Sequence, residues 1–85
     1  MSNKLPIFLE GYDWFAALES WRAELKDTER RHWTLAPYSL SFRVSLTWNM
    51  NGQCAALDHC SPTVQEATHV VLQEFRRLER MRDGE

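Results

Sequence analysis

Cys54, His59, Cys60 and His69 are the side chains with the chemistry to hold a metal or to act as nucleophile and base. Their spacing favours neither. Zinc ligands usually come in pairs such as C-x2-C or H-x3-H, and no such pair occurs among these four. In a strand, His59 and Cys60 point to opposite faces. Cys60 lies just before a helix start, where the dipole lowers a thiol pKa. His59 is directed away from it, however, and neither His32 nor His69 can be placed beside it as a base. Cys54 and Cys60 lie about 20 Å apart along one strand at ~3.3 Å per residue, too far for an intramolecular disulfide. They are read as reduced thiols, which suits a cytoplasmic protein.

Other catalytic signatures are missing. The chain has no G-x-x-x-x-G-K-[ST], G-x-G-x-x-G or G-x-S-x-G, and its three glycines cannot build a phosphate-cradling loop of those kinds. Glu66, Glu74 and Glu79 are interleaved with Arg76, Arg77, Arg80 and Arg82, the pattern of a solvated, ion-paired helix face rather than an acid–base pair. No catalytic residue, cofactor or metal site is expected.

The elements that carry these residues follow from periodicity. Asp13 is a good N-cap for a first helix, and Trp14, Leu18, Trp21 and Leu25 are spaced four, three and four apart, which stacks them on one stripe. Glu19 with Arg22, and Asp27 with Arg30 and Arg31, form pairs on its wetter side. Pro37 must end that helix, because proline lacks the N–H and excludes Ala36 from helical geometry. From Tyr38 to Trp48, Tyr38, Leu40, Phe42, Val44, Leu46 and Trp48 alternate with Ser39, Ser41, Arg43, Ser45 and Thr47, a period of two that only a strand sorts onto two faces.

Asn51-Gly52 is a type I′ turn signal. A loop of two or four residues places Ala55, Leu57 and His59 on Trp48's face, and the four-residue register also sets Arg43 opposite Asp58. A second helix starts near Ser61-Pro62-Thr63, where Thr63 to Glu66 fits a capping box, and buries Val64, Ala67, Val71, Phe75 and Leu78, with Leu72 at the border.

The fold expected is therefore a small single α+β domain over residues 1–85: helix 13–33, an antiparallel β-hairpin of 38–48 and 53–60, and helix 62–82, with both helices on one face of the hairpin. Residues 1–11, with Ile7-Phe8-Leu9, fit either a short extra N-terminal edge strand or an apolar arm. A two-stranded sheet is marginal alone. Its completion is expected from Ile7 to Leu9, or from a second subunit across a strand edge.

Composition narrows the function classes. Hydrophobic residues at 44% and charged residues at 26% suit a folded globular chain, and a formal charge of -2 supplies no global positive field to attract nucleic acid or anionic lipid. The longest apolar run, Leu5 to Leu9, is far short of the ~20 residues of a membrane helix, and no signal-peptide pattern follows Met1.

The stretch from Phe42 through Asn51-Gly52 to the second helix resembles double-stranded RNA-binding domains in topology. That resemblance implies phosphate contacts from lysines opening the last helix, where this chain has Ser61-Pro62-Thr63-Val64-Gln65-Glu66. The polar strand face also lacks aromatics for base stacking. Binding of RNA or DNA is thus the alternative reading. The favoured one is a protein partner.

Four tryptophans are many for 85 residues. Trp14, Trp21 and Trp48 fit buried stripes, but helical steps of ~100° place Trp33 at the stripe's flank beside Phe15 and Arg22. Trp and Arg dominate binding energy at interfaces, so Trp33, Phe15, Arg22, Arg30 and Arg31 form one candidate surface, with Arg43 and its polar strand face a second. The opposing reading folds Trp33 back to close the core. In size, charge and lack of catalytic residues the chain resembles the small phage- and mobile-element-encoded inhibitors of bacterial defence complexes, anti-CRISPR proteins among them. That resemblance implies a non-catalytic module that occupies a partner's surface.

Overall fold

The computed structural model describes residues 11–24 and 30–82. Helix α1, Trp14–Ala23, begins where Asp13 accepts a hydrogen bond from the Ala16 N–H at 3.0 Å, satisfying a first-turn donor that has no partner inside the helix. Leu18 and Trp21 of its apolar stripe are buried and Trp14 half-buried. The helix closes at Glu24, whose N–H donates to the Trp21 carbonyl at 3.2 Å. Leu25 and Asp27 lie outside the described residues.

Three strands follow, β1 (His32–Tyr38), β2 (Ser41–Met50) and β3 (Gln53–Ser61), in an antiparallel sheet of order β1-β2-β3. The third strand corrects the sequence reading in two places. Helix 13–33 was too long, because residues 32 onward are strand. Helical spacing carried past Ala23 runs into a segment with its own alternation, in which Trp33 and Leu35 are half-buried against the core and His32, Thr34 and Ala36 are exposed. Pro37, read as a helix stop, sits in an outer strand, the position in a sheet that tolerates a residue without an N–H.

The long strand also breaks earlier than its alternation suggests. Tyr38 pairs with Ser41 across the two-residue turn Ser39-Leu40, so β2 begins only after that turn. The ladder partner that a two-stranded sheet lacked is therefore His32 to Tyr38. The proposed strand at Ile7 to Leu9 lies outside the described residues.

At the other end of β2, Met50 pairs with Gln53 around Asn51-Gly52. Both turn residues have positive φ, 54° and 81°, as a type I′ turn requires. The loop thus has two residues rather than four. Trp48 faces Ala55 as expected, while Arg43 stands opposite Cys60 and Ser45 opposite Asp58.

Helix α2, Val64–Arg82, opens with the Thr63 hydroxyl accepting from the Glu66 N–H at 3.2 Å. Glu66 turns its carboxylate to the buried Ser61 hydroxyl, which donates at 2.7 Å, so the expected box is half formed and β3 supplies the other partner. Ala67, Val71 and Phe75 are buried beneath it.

Both helices pack on one face of the sheet, and they run parallel. Tyr12 meets His69, Trp21 meets Phe75 and Glu24 meets Arg76, in the same order along each chain segment. Between the layers Trp21, Trp48 and Phe75 meet edge to face, with ring centroids 4.9–6.5 Å apart, among Leu18, Val44, Leu46 and Val71. No described helix is long and apolar enough to cross a membrane.

Candidate functional site

A two-residue hairpin reverses which residue numbers face the core. Even-numbered β2 residues, Val44, Leu46 and Trp48, point to the helices together with Trp33 and Leu35 of β1 and Ala55, Leu57 and His59 of β3. The other side of the sheet is covered by no described element. It carries rows of small polar side chains, Thr34–Ser45–Asp58 and Ala36–Arg43–Cys60 among them.

Parity also explains the apolar tip of the β1–β2 hairpin. Tyr38 and Leu40 extend the alternation of Val44 and Leu46 on paper, but the turn places Tyr38 on the uncovered side and Leu40 at its apex. Tyr38 is 56% exposed, Leu40 93% and Phe42 40%, so their expected burial is overturned. Ser39 holds φ 59° while Leu40 does not share the positive φ, the backbone pattern of a type II′ turn. The Arg43 guanidinium lies over the Tyr38 ring, 5.5 Å from its centroid. Among the described residues no carboxylate is ion-paired with Arg43.

The residues of the two candidate surfaces named from the sequence fall in four places. Trp33, Phe15 and Arg22 do come together, though through a strand rather than along a helix. Trp33 packs edge to face on Trp14 and Phe15, with centroids 6.4 and 5.7 Å away. Its indole N–H donates to Glu19 at 2.9 Å, and Glu19 also accepts from Arg22 at 2.6 Å. Those bonds, Arg22's first and Trp33's second, hold the Glu19 carboxyl below its usual pKa. The seam is half-closed: Trp33 is partly buried and Phe15 is 53% exposed. Arg43 lies on the opposite side of the sheet, and Arg30 is exposed before β1.

Arg31 overturns its expected place. It is 3% exposed, and its guanidinium lies against the rings of both Trp21 and Phe75, 5.2 and 4.9 Å from their centroids. It donates to the Trp21 carbonyl at 2.9 Å and to Glu24 at 3.0 Å. Arg76 donates to both oxygens of Glu24 at 2.8 and 2.6 Å and is ion-paired with Glu79, which also approaches Arg31. Arg76 and then Arg31 push the Glu24 carboxyl below its ordinary range. This closed network ties the end of α1 and the start of β1 to α2, so Arg31 is structural. Its only signal in the sequence, a basic run around Arg30 and Arg31, is shared by ordinary surface charge.

Chemistry-bearing residues remain dispersed. Cys54 and Cys60 are free thiols exposed on the uncovered face, and His59 points to the helix side. Among the described residues no three His, Cys, Asp or Glu side chains are grouped to hold a metal. On α2, Glu74 pairs with Arg77 and Glu79 with Arg76. A groove of about 370 Å³ opens where the Asn51-Gly52 turn meets the end of α2, lined by Trp48, Met50, Phe75, Leu78 and Met81 with Glu79 and Arg82 also in its wall. No known protein family, curated protein or solved structure matches the chain.

Proposed function

We propose that this chain is a non-catalytic protein-binding module that meets its partner with the β1–β2 hairpin tip. The observation that carries this reading is the exposure of Tyr38, Leu40 and Phe42 around one turn, with Arg43 lying over Tyr38. Three large apolar side chains left wholly or partly in water around one turn cost solvation free energy that a partner recovers on binding. Tyrosine and arginine are also among the residue types enriched at interface hot spots. The chemistry fits a protein surface with an apolar pocket for Leu40 and acidic groups at its rim for Arg43. The resemblance in size and charge to phage-type inhibitors of bacterial defence complexes supports action by occupying such a surface, in the manner of anti-CRISPR proteins.

Capture from nuclease-treated bacterial lysate tests this. The wild type retains a protein partner, and Leu40→Asp loses it while its melting temperature stays unchanged. Equal retention by Leu40→Asp and by Tyr38→Ala would remove the tip from the reading.

A second reading has one observation in its favour. Helix, three antiparallel strands and helix is an order similar to that of double-stranded RNA-binding domains. Against it, the start of α2 presents Glu66 where phosphate contacts would need cations. Recovery of nucleic acid without protein, lost steeply as salt rises, would favour this alternative.

A further inference from the structure

Among the described residues the sheet has two outer strands, β1 and β3, and their edges differ chemically. In an antiparallel ladder the residues flanking a two-residue turn form a hydrogen-bonded pair, and backbone groups alternate inward and outward from there. Counting from Tyr38↔Ser41, the outward groups of β1 belong to Trp33, Leu35 and Pro37. Pro37 has no N–H, so that edge is interrupted. Counting from Met50↔Gln53, those of β3 belong to Cys54, Ala56, Asp58 and Cys60, each of which has both an N–H and a C=O. The edge of β3 is unbroken over its length.

That strand is also self-complementary. We propose that two copies of the chain pair β3 against β3 in antiparallel sense, about a two-fold axis at Leu57, to make one continuous sheet through both subunits. Leu57 is the midpoint of the nine-residue strand Gln53–Ser61, so this register overlaps it completely and forms about eight N–H···O bonds. Leu57, half-buried in one copy, meets Leu57 of the partner subunit at the axis, where a non-hydrogen-bonded pair brings side chains close.

Charge selects the same register. It sets Asp58 opposite Ala56 of the partner subunit, whereas a two-residue slip toward the C-terminus opposes Asp58 to Asp58 of the partner subunit. Like charges directly opposite are destabilising, and the slip shortens the overlap as well. A slip the other way shortens the overlap and moves Leu57 off the axis.

The cysteines provide a register-specific test. The pairing places Cys54 opposite Cys60 of the partner subunit, with α-carbons about 5.5 Å apart, within disulfide range. Both thiols are exposed. Sedimentation of the reduced wild type should give the mass of a dimer. Mild oxidation with diamide, which takes up the two thiol hydrogens, should give a covalent dimer. Cys54→Ser and Cys60→Ser should each lose the covalent band when oxidised alone, and mixing the two variants should restore it.

Ala56→Pro removes an outward N–H without touching the ladder to β2, and should sediment as a folded monomer. A wild type that is monomeric at millimolar concentration overturns the proposal. So does a single-cysteine variant that crosslinks as well as the wild type. Neither outcome bears on the hairpin tip, because Leu40→Asp leaves β3 unchanged and the cysteine variants leave the tip unchanged.

Discussion

The two sides of the sheet place similar residues under opposite conditions. Toward the helices, Trp48 is enclosed by Trp21 and Phe75, and Arg31 lies over the Trp21 and Phe75 rings with its donors on a carbonyl and a carboxylate. On the other side Tyr38 stands in water with Arg43 over it. The same aromatic–guanidinium contact is core in one place and surface in the other. What differs is whether a helix covers it, which shows that residue type alone does not separate a buried arginine from an exposed one.

Truncation should expose that difference most strongly at the rings. Trp48→Ala is expected to cost about 3–5 kcal/mol, read from urea unfolding, whereas Tyr38→Ala should stay within about 0.5 kcal/mol. A comparable loss at Tyr38 would mean that the uncovered side contributes to the fold. The arginines come next. Arg31→Ala leaves the Trp21 carbonyl without its buried donor and opens space against two rings, for an expected loss of about 2–3 kcal/mol. Arg43→Ala should change stability by no more than about 0.5 kcal/mol.

A smaller effect follows pH. The folded Glu24 carboxyl lies below its ordinary value of 4.5, mainly because of Arg76 and then Arg31. Its stabilisation is therefore complete above the unfolded value and is lost as pH falls through the depressed folded one. The melting temperature of Glu24→Gln should lie below that of the wild type near about pH 7, with the gap closing toward about pH 3. A gap independent of pH would assign Glu24 a packing role only. The smallest expected change compares the turns. Ser39 bears a positive φ that Gly52 accepts without strain, so Ser39→Gly should raise stability by about 0.5 kcal/mol, while the folded baseline stays the same.

Much of the fold was legible because it rests on local pattern. Asp13, Thr63 and Asn51-Gly52 marked two helix starts and one turn through backbone chemistry acting within four residues. The buried stripe of α2 followed from its 3.6-residue period. β1 was missed because it turns only two apolar residues, Trp33 and Leu35, toward the core, too few to set an alternation apart, and Ser39-Leu40 is not a strong turn signal. The candidate tip was hidden by the same error, which assigned Tyr38, Leu40 and Phe42 to the core.

What the sequence determined by itself is which segments favour helix, strand or turn, because propensity, caps and periodicity are properties of neighbours along the chain. Only the tertiary structure decided which apolar residues are enclosed and which arginine is core. Burial depends on what lies across from a side chain, and here a two-residue turn sets that by shifting parity. Val44 and Leu46 are covered by helices distant in sequence, while Tyr38 and Leu40, of the same chemical kind, are left in water.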